Sequence, residues 1–125
     1  MVTALYPGTF DPVHFGHLDI AARASSIFDH VIIGVYATPP KDLMFTTEQR
    51  INFFRPAVSG HDNIEVRSFI GMAPDFARSV GASVILRGLR AGLDFEEVSE
   101  MALMWRKLAP DIDVVCLMSS LDYQF

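Results

Sequence analysis

The stretch Val31–Tyr36, which reads VIIGVY, decides the fold class of this 125-residue chain. It is a nearly continuous run of β-branched residues, as expected of a strand that is buried on both faces of a parallel sheet. The run Val2–Tyr6 predicts an earlier strand, and the amphipathic stretch Gly16–Phe28 between the two predicts a helix. A strand, a helix and a strand in this order indicate a parallel βαβ unit.

The same alternation continues along the rest of the chain. Further strands are predicted at Ile64–Phe69, Ser83–Arg87 and Asp113–Met118, and further helices at Thr46–Ser59, Pro74–Val80 and Asp94–Leu108. Thr46 and Gln49 have the spacing of a helix capping box. Asp94 is a suitable N-cap, and Gly81 is a suitable helix stop. With right-handed crossovers, the pattern predicts a single domain over residues 1–125, an α/β fold with a doubly wound, five-stranded parallel sheet.

The composition excludes several classes of protein. Half of the residues are hydrophobic, 20% are charged and the mean hydropathy is +0.28, so the chain can bury a core and is not intrinsically disordered. A formal charge of −5 and a pI near 5.2 argue against a general nucleic-acid binder, because such proteins carry excess positive charge to neutralise phosphates. We therefore expect no nucleic-acid partner.

Cysteine content and apolar patterning bear on the cellular compartment. Cys116 is the only cysteine, so an internal disulfide framework and a multi-cysteine zinc site are excluded. Because Cys116 lies in the apolar run Val114–Met118, we interpret it as a buried small hydrophobic residue. The N-terminus has no basic segment of the kind that opens a signal peptide, and no apolar stretch approaches the ~20 residues that span a bilayer. We therefore expect a cytoplasmic protein without a membrane partner.

The residues that follow the first strand are the first candidates for chemistry. In doubly wound sheets, ligands bind beyond the carboxyl ends of the strands, near the point where the strand order reverses. The turn Gly8–His17 has neither a dinucleotide fingerprint nor a P-loop, but it leads into a helix. A helix N-terminus offers free N–H groups and the positive end of a dipole to a phosphate. Gly8 and Gly16 would let the backbone approach such a ligand closely.

Two histidines, His14 and His17, stand three residues apart in this turn and would share one face of the helix. A zinc site would need a third ligand. The remaining histidines, His30 and His61, precede strands and so lie at the opposite edge of the sheet. We therefore predict no metal site built from the protein's own side chains. An alternative role for His14 and His17 is to cap their own helical turn.

Cationic side chains follow two other strands at the same predicted edge. The stretch Arg87–Arg90, which reads RGLR, follows the fourth strand, and Lys41 follows the second. Arginine suits bidentate contacts with phosphate, although solvated surface residues would need no ligand. Taken together, the turn, the two arginines and Lys41 predict a site for a polyanion on one edge of an otherwise acidic protein.

At these positions the sequence resembles a known family. Residues 14–17, His-Phe-Gly-His, match the HxGH signature of the nucleotidyltransferase superfamily. The stretches Tyr6–Pro12, Arg87–Arg90 and Asp94–Glu96 resemble those of the bacterial phosphopantetheine adenylyltransferases, and the similarity extends along essentially the whole chain. The HxGH signature by itself indicates the superfamily, whereas its combination with the arginine motif is specific to this family.

The resemblance implies a Rossmann-like nucleotidyltransferase fold and a reaction. Members of the family transfer an adenylyl group from ATP to 4′-phosphopantetheine, giving dephospho-coenzyme A and pyrophosphate in the penultimate step of coenzyme A biosynthesis. The resemblance also implies Mg²⁺ as cofactor and a homo-oligomer, which is a hexamer in this family. The residue types suit this chemistry, because a phosphate oxygen is already an anionic nucleophile and needs no general base.

The resemblance further implies roles for individual residues. His17 would be catalytic and would stabilise the transition state at the α-phosphorus of ATP. The residues expected to bind ATP are Thr9, Phe10, His17, Gly88, Leu89, Arg90 and Tyr123. The residues expected to bind phosphopantetheine are Thr9, Lys41, Ala73 and Arg87.

The chain departs from the family pattern in three respects. Val98 replaces a glutamate that contacts ATP, and Trp105 replaces an asparagine on the pantetheine side. The family's Ile-Ser-Ser-Ser segment and C-terminal helices, expected after Phe125, are missing, and we expect weakened ATP binding as a result.

Two alternative functions stay open. One is another HxGH enzyme, acting on nicotinamide mononucleotide or making CDP-alcohols, and the other is a ligand-binding remnant without turnover. We expect Trp105 to border the pantetheine arm or to fill space, with ordinary core packing as the alternative.

Overall fold

The computed structural model describes residues 1–37, 42–89 and 95–120, with the backbone alone for residues 95–98. Five strands and four helices alternate within these ranges. They are β1 (Thr3–Gly8), α1 (Phe15–Ile27), β2 (His30–Tyr36), α2 (Thr47–Ala57), β3 (Ile64–Phe69), α3 (Ala73–Ser79), β4 (Val84–Leu89), α4 (Phe95–Leu108) and β5 (Asp113–Met118). Every predicted strand and helix is therefore present in the predicted order.

The strands form one five-stranded parallel sheet in the order β3-β2-β1-β4-β5. The predicted doubly wound α/β fold is thereby confirmed. The chain builds outward from β1 through β2 to β3 and then returns to place β4 on the other side of β1. The strand order reverses between β1 and β4, and the crevice at their carboxyl ends is where such sheets bind ligands.

The crevice exists because β1 and β4 pair over a short length. β1 pairs with β2 from Thr3↔His30 to Gly8↔Val35, but it pairs with β4 only at Ala4↔Val84 and Leu5↔Ile85. Beyond Leu5 the two strands part. Pro7 lacks an N–H group, and it can lie in this central strand because no partner on β4 requires that donor. The strand consequently runs two residues beyond its predicted end at Tyr6.

Two apolar layers cover the sheet, one on each face. Neighbouring residues of a strand point to opposite faces, so Tyr6 belongs to one layer and Leu5 to the other. The first layer joins Tyr6 and Phe10 to the α1 residues Ile20, Ala21 and Ala24, and to Phe54 and Val58 of the α2 region. The second layer joins Leu5, Ile85 and Phe69 to the α3 residues Ala73 and Ala77, and to Trp105 of α4.

Local signals in the sequence set most helix ends. Thr46 caps α2, and its hydroxyl accepts a hydrogen bond from the Gln49 N–H at 3.1 Å, so the predicted capping box is confirmed. Gly81 has φ +74° after α3, and the next residue, Ala82, donates its N–H to the carbonyl of Ala77 at 2.8 Å, which confirms the predicted helix stop. The predicted N-cap Asp94 lies outside the described residues. None of the described helices combines the length and apolar character of a bilayer span.

The burial of Cys116 and of Trp105 tests two predictions made from the sequence. Cys116 is exposed, so its prediction as a buried residue is wrong. The reason is that β5 is an edge strand, paired with β4 alone, and each of its side chains is half-buried or exposed. Trp105 is only 7% exposed and packs in the second apolar layer with Leu5 and Ile85. Ordinary core packing, the alternative to a role at the pantetheine arm, is what the structure shows.

Candidate functional site

The first turn of α1 holds two stacked histidine rings. The centroids of His14 and His17 lie 3.6 Å apart, and the rings are inclined by 21°. The His14 N–H donates to Nδ1 of His17 at 3.1 Å, and the Gly16 N–H donates to Nδ1 of His14 at 3.1 Å. Both histidines therefore cap the turn, so the predicted capping role is confirmed. The capping bond to His17 uses only its Nδ1 atom and leaves its other ring nitrogen available.

The capping bond fixes the tautomer of His17. A ring nitrogen that accepts a hydrogen bond carries no proton, so the proton of neutral His17 resides on Nε2. Burial lowers the pKa of His17 from its ordinary 6.5 to about 3, and the electrostatic effects of His14 and Arg87 act in the same direction. At neutral pH, His17 therefore holds a neutral imidazole whose Nε2–H is its one strong donor.

The turn before α1 is built around Phe10. Its φ is +50°, a left-handed conformation that costs a bulky residue about 1–2 kcal/mol. The ring is 4% exposed and packs edge-to-face with Tyr6, His17 and Phe54, with centroid distances of 5.3, 4.8 and 5.0 Å. Gly8 makes room for it, since a Cβ at that position would lie 2.8 Å from the ring. Phe10 is thus an interior support for His17, and its ring is almost closed to solvent.

Arg87 lies in the crevice between β1 and β4. Its Nη1 donates to the carbonyl of Pro7 at 3.1 Å, across the gap that opens beyond the last paired residues. Its buried Nε has no hydrogen-bond partner among the described residues, so the guanidinium keeps donor capacity for a ligand. Burial raises the pKa of Tyr6, and the charge of Arg87 opposes that increase. Gly88 also lies close to Tyr6, since a Cβ at Gly88 would be 3.7 Å from the Tyr6 hydroxyl.

Two residues that sequence reasoning missed hold this turn against the start of α2. Arg50 is 0% exposed, and its guanidinium donates to the carbonyls of Thr9 and Tyr36, each at 2.8 Å. It also donates to the carbonyl of Phe45 at 3.3 Å and to the Thr47 hydroxyl at 3.0 Å. No local pattern reveals this role, because an arginine in the first turns of an amphipathic helix is ordinarily a surface residue.

Asp11 is the second of these residues. Its carboxylate accepts hydrogen bonds from the N–H groups of Met44 and Phe45, at 2.6 and 2.8 Å. These bonds tie the turn after β1 to the segment before α2 at a second point. Asp11 lies inside the stretch that carries the family resemblance, and this was the one signal that could have singled it out.

A polar link joins α1 to the end of β5. Arg23 donates to Asp19 at 2.9 Å and to the Met118 carbonyl at 2.7 Å, and Ser120 donates to Asp19 at 2.7 Å. Burial acts to raise the pKa of Asp19, but the hydrogen bonds from Ser120 and Arg23 outweigh it and hold that pKa below its ordinary value. The chain after β5 is thereby fixed to the helix that carries His17.

The structure brings together most of the predicted site residues that it describes. Thr9, Phe10, His17, Arg87 and Gly88 surround the carboxyl ends of β1 and β4. Leu89 is 7% exposed, and Ala73 is 8% exposed at the start of α3. Lys41, Arg90 and Tyr123 lie outside the described residues, as does the side chain of Val98.

Metal-binding side chains are not grouped in the described part of the chain. No set of three or more histidine, cysteine, aspartate or glutamate residues is placed there to hold an ion. His30 lies at the amino end of β2, 3.4 Å from Glu65, and His61 lies 3.2 Å from the Ser25 hydroxyl. Both therefore stand away from the carboxyl edge that carries His17, as their positions before strands predict.

Comparisons with known proteins give one family. A family model described as cytidylyltransferase-like matches residues 5–124. The phosphopantetheine adenylyltransferase of Roseiflexus sp. (strain RS-1) is 50% identical over 125 residues, covering 100% of this chain and 78% of that protein. The phosphopantetheine adenylyltransferase of Dehalococcoides mccartyi (strain CBDB1) is 48% identical over 122 residues, covering 98% of this chain and 77% of that protein.

A solved structure shares the fold at low sequence identity. It is a bifunctional NMN adenylyltransferase/ADP ribose pyrophosphatase from Francisella tularensis, complexed with AMP and a manganese ion. The TM-score is 0.69 at 17% identity, and the match covers 98% of this chain and 38% of that chain. The likeness extends over the whole sheet and its helices, so the architecture is one that also occurs in an adenylyltransferase.

Proposed function

This chain belongs to the phosphopantetheine adenylyltransferases, within the cytidylyltransferase-like proteins, and on that premise we propose how its own residues transfer an adenylyl group from ATP to 4′-phosphopantetheine. The products are dephospho-coenzyme A and pyrophosphate. The observation that carries the proposal is the His17 imidazole at the N-terminus of α1, neutral and with its proton on Nε2, beside an arginine with unused donor capacity.

The reaction is a displacement at the α-phosphorus of ATP. An oxygen of the 4′-phosphate of phosphopantetheine attacks, and a new P–O bond forms. The bond from the α-phosphorus to the oxygen that bridges to the β-phosphate breaks, and pyrophosphate leaves with that electron pair. The nucleophile is already an anion, so no residue has to remove a proton. Catalysis therefore consists of aligning two polyanions and stabilising the charge that grows on the phosphoryl oxygens.

His17 supplies that stabilisation in the proposed mechanism. Its Nε2–H donates to a nonbridging oxygen of the α-phosphate, and the bond strengthens as negative charge builds there. A preorganised donor of this kind contributes about 10²–10³ in kcat. The N–H groups at the N-terminus of α1 and the positive end of its dipole act on the same phosphate. Because the pKa of His17 is about 3, the ring is a neutral imidazole at neutral pH, and a neutral imidazole donates a hydrogen bond from Nε2 without transferring the proton.

The remaining predicted residues divide between the two substrates. Arg87 is proposed to hold the phosphate of phosphopantetheine, together with Lys41, Thr9 and the α3 residue Ala73. Thr9 and Phe10 at the turn, the stretch Gly88–Arg90 and Tyr123 are proposed to bind ATP, with Phe10 contributing its backbone because its ring is buried. The free Nε of Arg87 and the open end of β1 and β4 support a phosphate ligand at Arg87, and the division between the two substrates follows the family resemblance.

Mg²⁺ is proposed to enter as its complex with ATP. The one carboxylate of the β1–α1 turn, Asp11, is occupied by the N–H groups of Met44 and Phe45, so the described residues offer no cluster of oxygen ligands for an ion of the protein's own. Mg²⁺ commonly binds through substrate phosphates and keeps several waters. The chemistry it supplies is neutralisation of charge on the phosphate oxygens.

The chain is also proposed to act in the cytoplasm as a homo-oligomer of six copies. Several large apolar side chains are exposed on α4 and near α3, namely Leu103, Met104, Leu108, Ile70 and Met72. Burial of such side chains between copies would support association. Light scattering coupled to size exclusion would measure the number of copies.

Product analysis tests the proposed function. The chain is incubated with ATP, Mg²⁺ and 4′-phosphopantetheine, and dephospho-coenzyme A and pyrophosphate are quantified by mass spectrometry. Matched reactions replace the acceptor by nicotinamide mononucleotide or ATP by CTP. All are repeated with the chain extended by the family's Ile-Ser-Ser-Ser segment and C-terminal helix. We expect transfer from ATP to phosphopantetheine alone. Transfer to nicotinamide mononucleotide, or calorimetric binding without turnover in both forms, would overturn the proposal.

A further inference from the structure

Arg50 is a fully buried cation whose charge is balanced by no carboxylate in the described ranges. Neutral oxygens surround it instead, from the β1–α1 turn, from the end of β2 and from the start of α2. Burying a guanidinium is costly unless its N–H groups are satisfied. The position therefore suits arginine, whose planar guanidinium presents five N–H donors in a fixed arrangement, better than lysine, whose ammonium has three.

One of these bonds acts on the peptide group that joins Thr9 to Phe10. The Nη1 of Arg50 donates to the Thr9 carbonyl at 2.8 Å. That carbonyl and the Phe10 N–H belong to the same planar unit, so its orientation sets the φ angle of Phe10. The φ of +50° is one that a phenylalanine rarely adopts by itself. The hydrogen bond from Arg50 stabilises the peptide in this orientation.

The orientation of this peptide decides where the Phe10 ring lies. The ring packs edge-to-face with the imidazole of His17, with the centroids 4.8 Å apart. A continuous line of contacts thus runs from the Arg50 guanidinium through the Thr9 carbonyl and the Phe10 ring to His17. The imidazole is held from one side by its bond with the His14 N–H and from the other by this ring.

We propose that Arg50 is a positioning residue of the adenylyl-transfer site, which sets the position of the His17 imidazole through the Thr9–Phe10 peptide. The expected effect on catalysis rests on the proposed function. The expected effect on the position of the His17 ring rests on the contacts alone. Arg50 touches neither substrate. Its effect is on the geometry in which Nε2 of His17 meets the α-phosphate.

The kinetic test uses Arg50→Lys, which keeps the charge and loses the planar set of donors. Small displacements of a reacting group can cost up to about 100-fold in rate, so we expect kcat to fall about 10- to 100-fold. The KM for ATP and for phosphopantetheine should change little, because Arg50 contacts neither. A kcat equal to that of the parent chain, in a folded variant, would overturn the proposal.

Two matched variants on or next to the same helix separate positioning from lost stability. Arg55→Lys alters an arginine of α2 that donates to a strand carbonyl, Val66, at 3.3 Å. Val58→Ala removes core volume at the far end of α2 and lowers the melting temperature. Both should keep the parent kcat at temperatures where all variants are folded. A Val58→Ala enzyme that loses as much kcat as Arg50→Lys would show that stability alone explains the effect.

An NMR measurement reads the positioning without turnover. The ring C–H resonances of His17, assigned by their loss in His17→Gln, should shift in Arg50→Lys, while those of His30 and His61 stay in place. If the parent chain transfers no adenylyl group, the proposed function fails, yet this shift still tests the contacts. Unchanged His17 resonances in Arg50→Lys would overturn the positioning role whatever the activity.

A double-mutant cycle with Phe10→Leu completes the test. If Arg50 acts through Phe10, the two substitutions together should lower kcat little more than the worse one alone. Multiplicative effects would mean that Arg50 acts by another route and would overturn the proposal.

Should Arg50→Lys fail to fold, Thr47→Val takes its place, because it removes one acceptor of the guanidinium and keeps the arginine. A smaller fall in kcat and the same shift of the His17 resonances are then expected, and their absence would count against the proposal.

Discussion

The backbone N–H of His14 donates to Nδ1 of His17 at 3.1 Å, and this one bond places the proton of the neutral His17 ring on Nε2. The bond belongs to the cap of α1, so the helix whose N-terminus we propose to bind a phosphate also sets the tautomer of His17. Protonation of His17 would destroy the acceptor at Nδ1 and with it part of the cap. Helix formation, the neutral charge of His17 and the direction of its donor are therefore coupled.

The first prediction concerns the role of Nε2. His17→Ala should lower kcat by roughly 10²–10³ with little change in substrate affinity, because the donor acts mainly on charge that develops in the transition state. Steady-state kinetics and calorimetry with each substrate measure the two effects separately. His61→Ala, at the exposed opposite edge of the sheet, is the matched control and should behave as the parent. A kcat within a factor of a few after His17→Ala would make His17 a purely structural cap.

The second prediction follows from the low pKa of His17. Between about pH 6.5 and about pH 3 the unfolded chain binds a proton at this residue and the folded chain does not. The free energy of unfolding must therefore decrease as the pH falls through this window, by at most about 1.4 kcal/mol per pH unit from this group. Urea unfolding of the parent and of His17→Gln at several pH values measures it. The variant should show the shallower dependence, and parallel curves would contradict the assignment of a neutral His17.

The third prediction tests the contact between Gly8 and Phe10. A methyl group at Gly8 would lie 2.8 Å from the Phe10 ring, so Gly8→Ala must displace the ring that supports His17. We expect a loss of about 1–3 kcal/mol in the free energy of unfolding, as for overpacking in other cores, together with a fall in kcat. Gly60→Ala is the control, since nothing lies within 4 Å of its Cβ position. Equal behaviour of the two variants would show that the turn adapts without consequence.

The fourth prediction is that Arg87 and Arg90, the two arginines of the RGLR stretch, bind different substrates. Arg87→Lys keeps the charge but loses the planar guanidinium, including the Nη1 bond to Pro7. It should weaken phosphopantetheine more than ATP, and Arg90→Lys should do the reverse. Titration calorimetry of both variants with both substrates gives the four affinities. Equal weakening of both substrates by both variants would indicate a shared electrostatic role in place of the proposed division.

The fifth prediction concerns Trp105, which occupies a position where the family pattern has an asparagine. The indole is 7% exposed inside the second apolar layer, so Trp105→Asn would leave a cavity and bury an amide. The free energy of unfolding should fall by about 3–5 kcal/mol, as for other large-to-small changes of aromatic core residues. Leu103→Ala, 67% exposed on the same helix, should stay within about 0.5 kcal/mol of the parent. Denaturant unfolding decides, and a stable Trp105→Asn chain would mean that the indole is not part of the core.

The sequence by itself determined the architecture and indicated the edge of the sheet at which the candidate site lies. Apolar periodicity fixed the order of strands and helices, because a strand buried on both faces has to be almost continuously apolar, as Val31–Tyr36 is. Short-range chemistry fixed local ends, such as the Thr46 cap and the Gly81 stop. The HxGH turn identified His17 as the candidate for catalysis, since its motif is local in the chain.

Tertiary structure alone decided which residues support that site. The separation of β1 from β4 beyond Leu5, which creates the crevice, depends on pairing between strands about 80 residues apart in sequence, and no local pattern encodes it. The burial of Arg50 against the Thr9 carbonyl is equally non-local, because its acceptors come from three separate segments. The exposure of Cys116 followed from the edge position of β5, which apolar sequence cannot reveal. Hydrophobic pattern specifies what is buried along one element, whereas a site also depends on which elements meet.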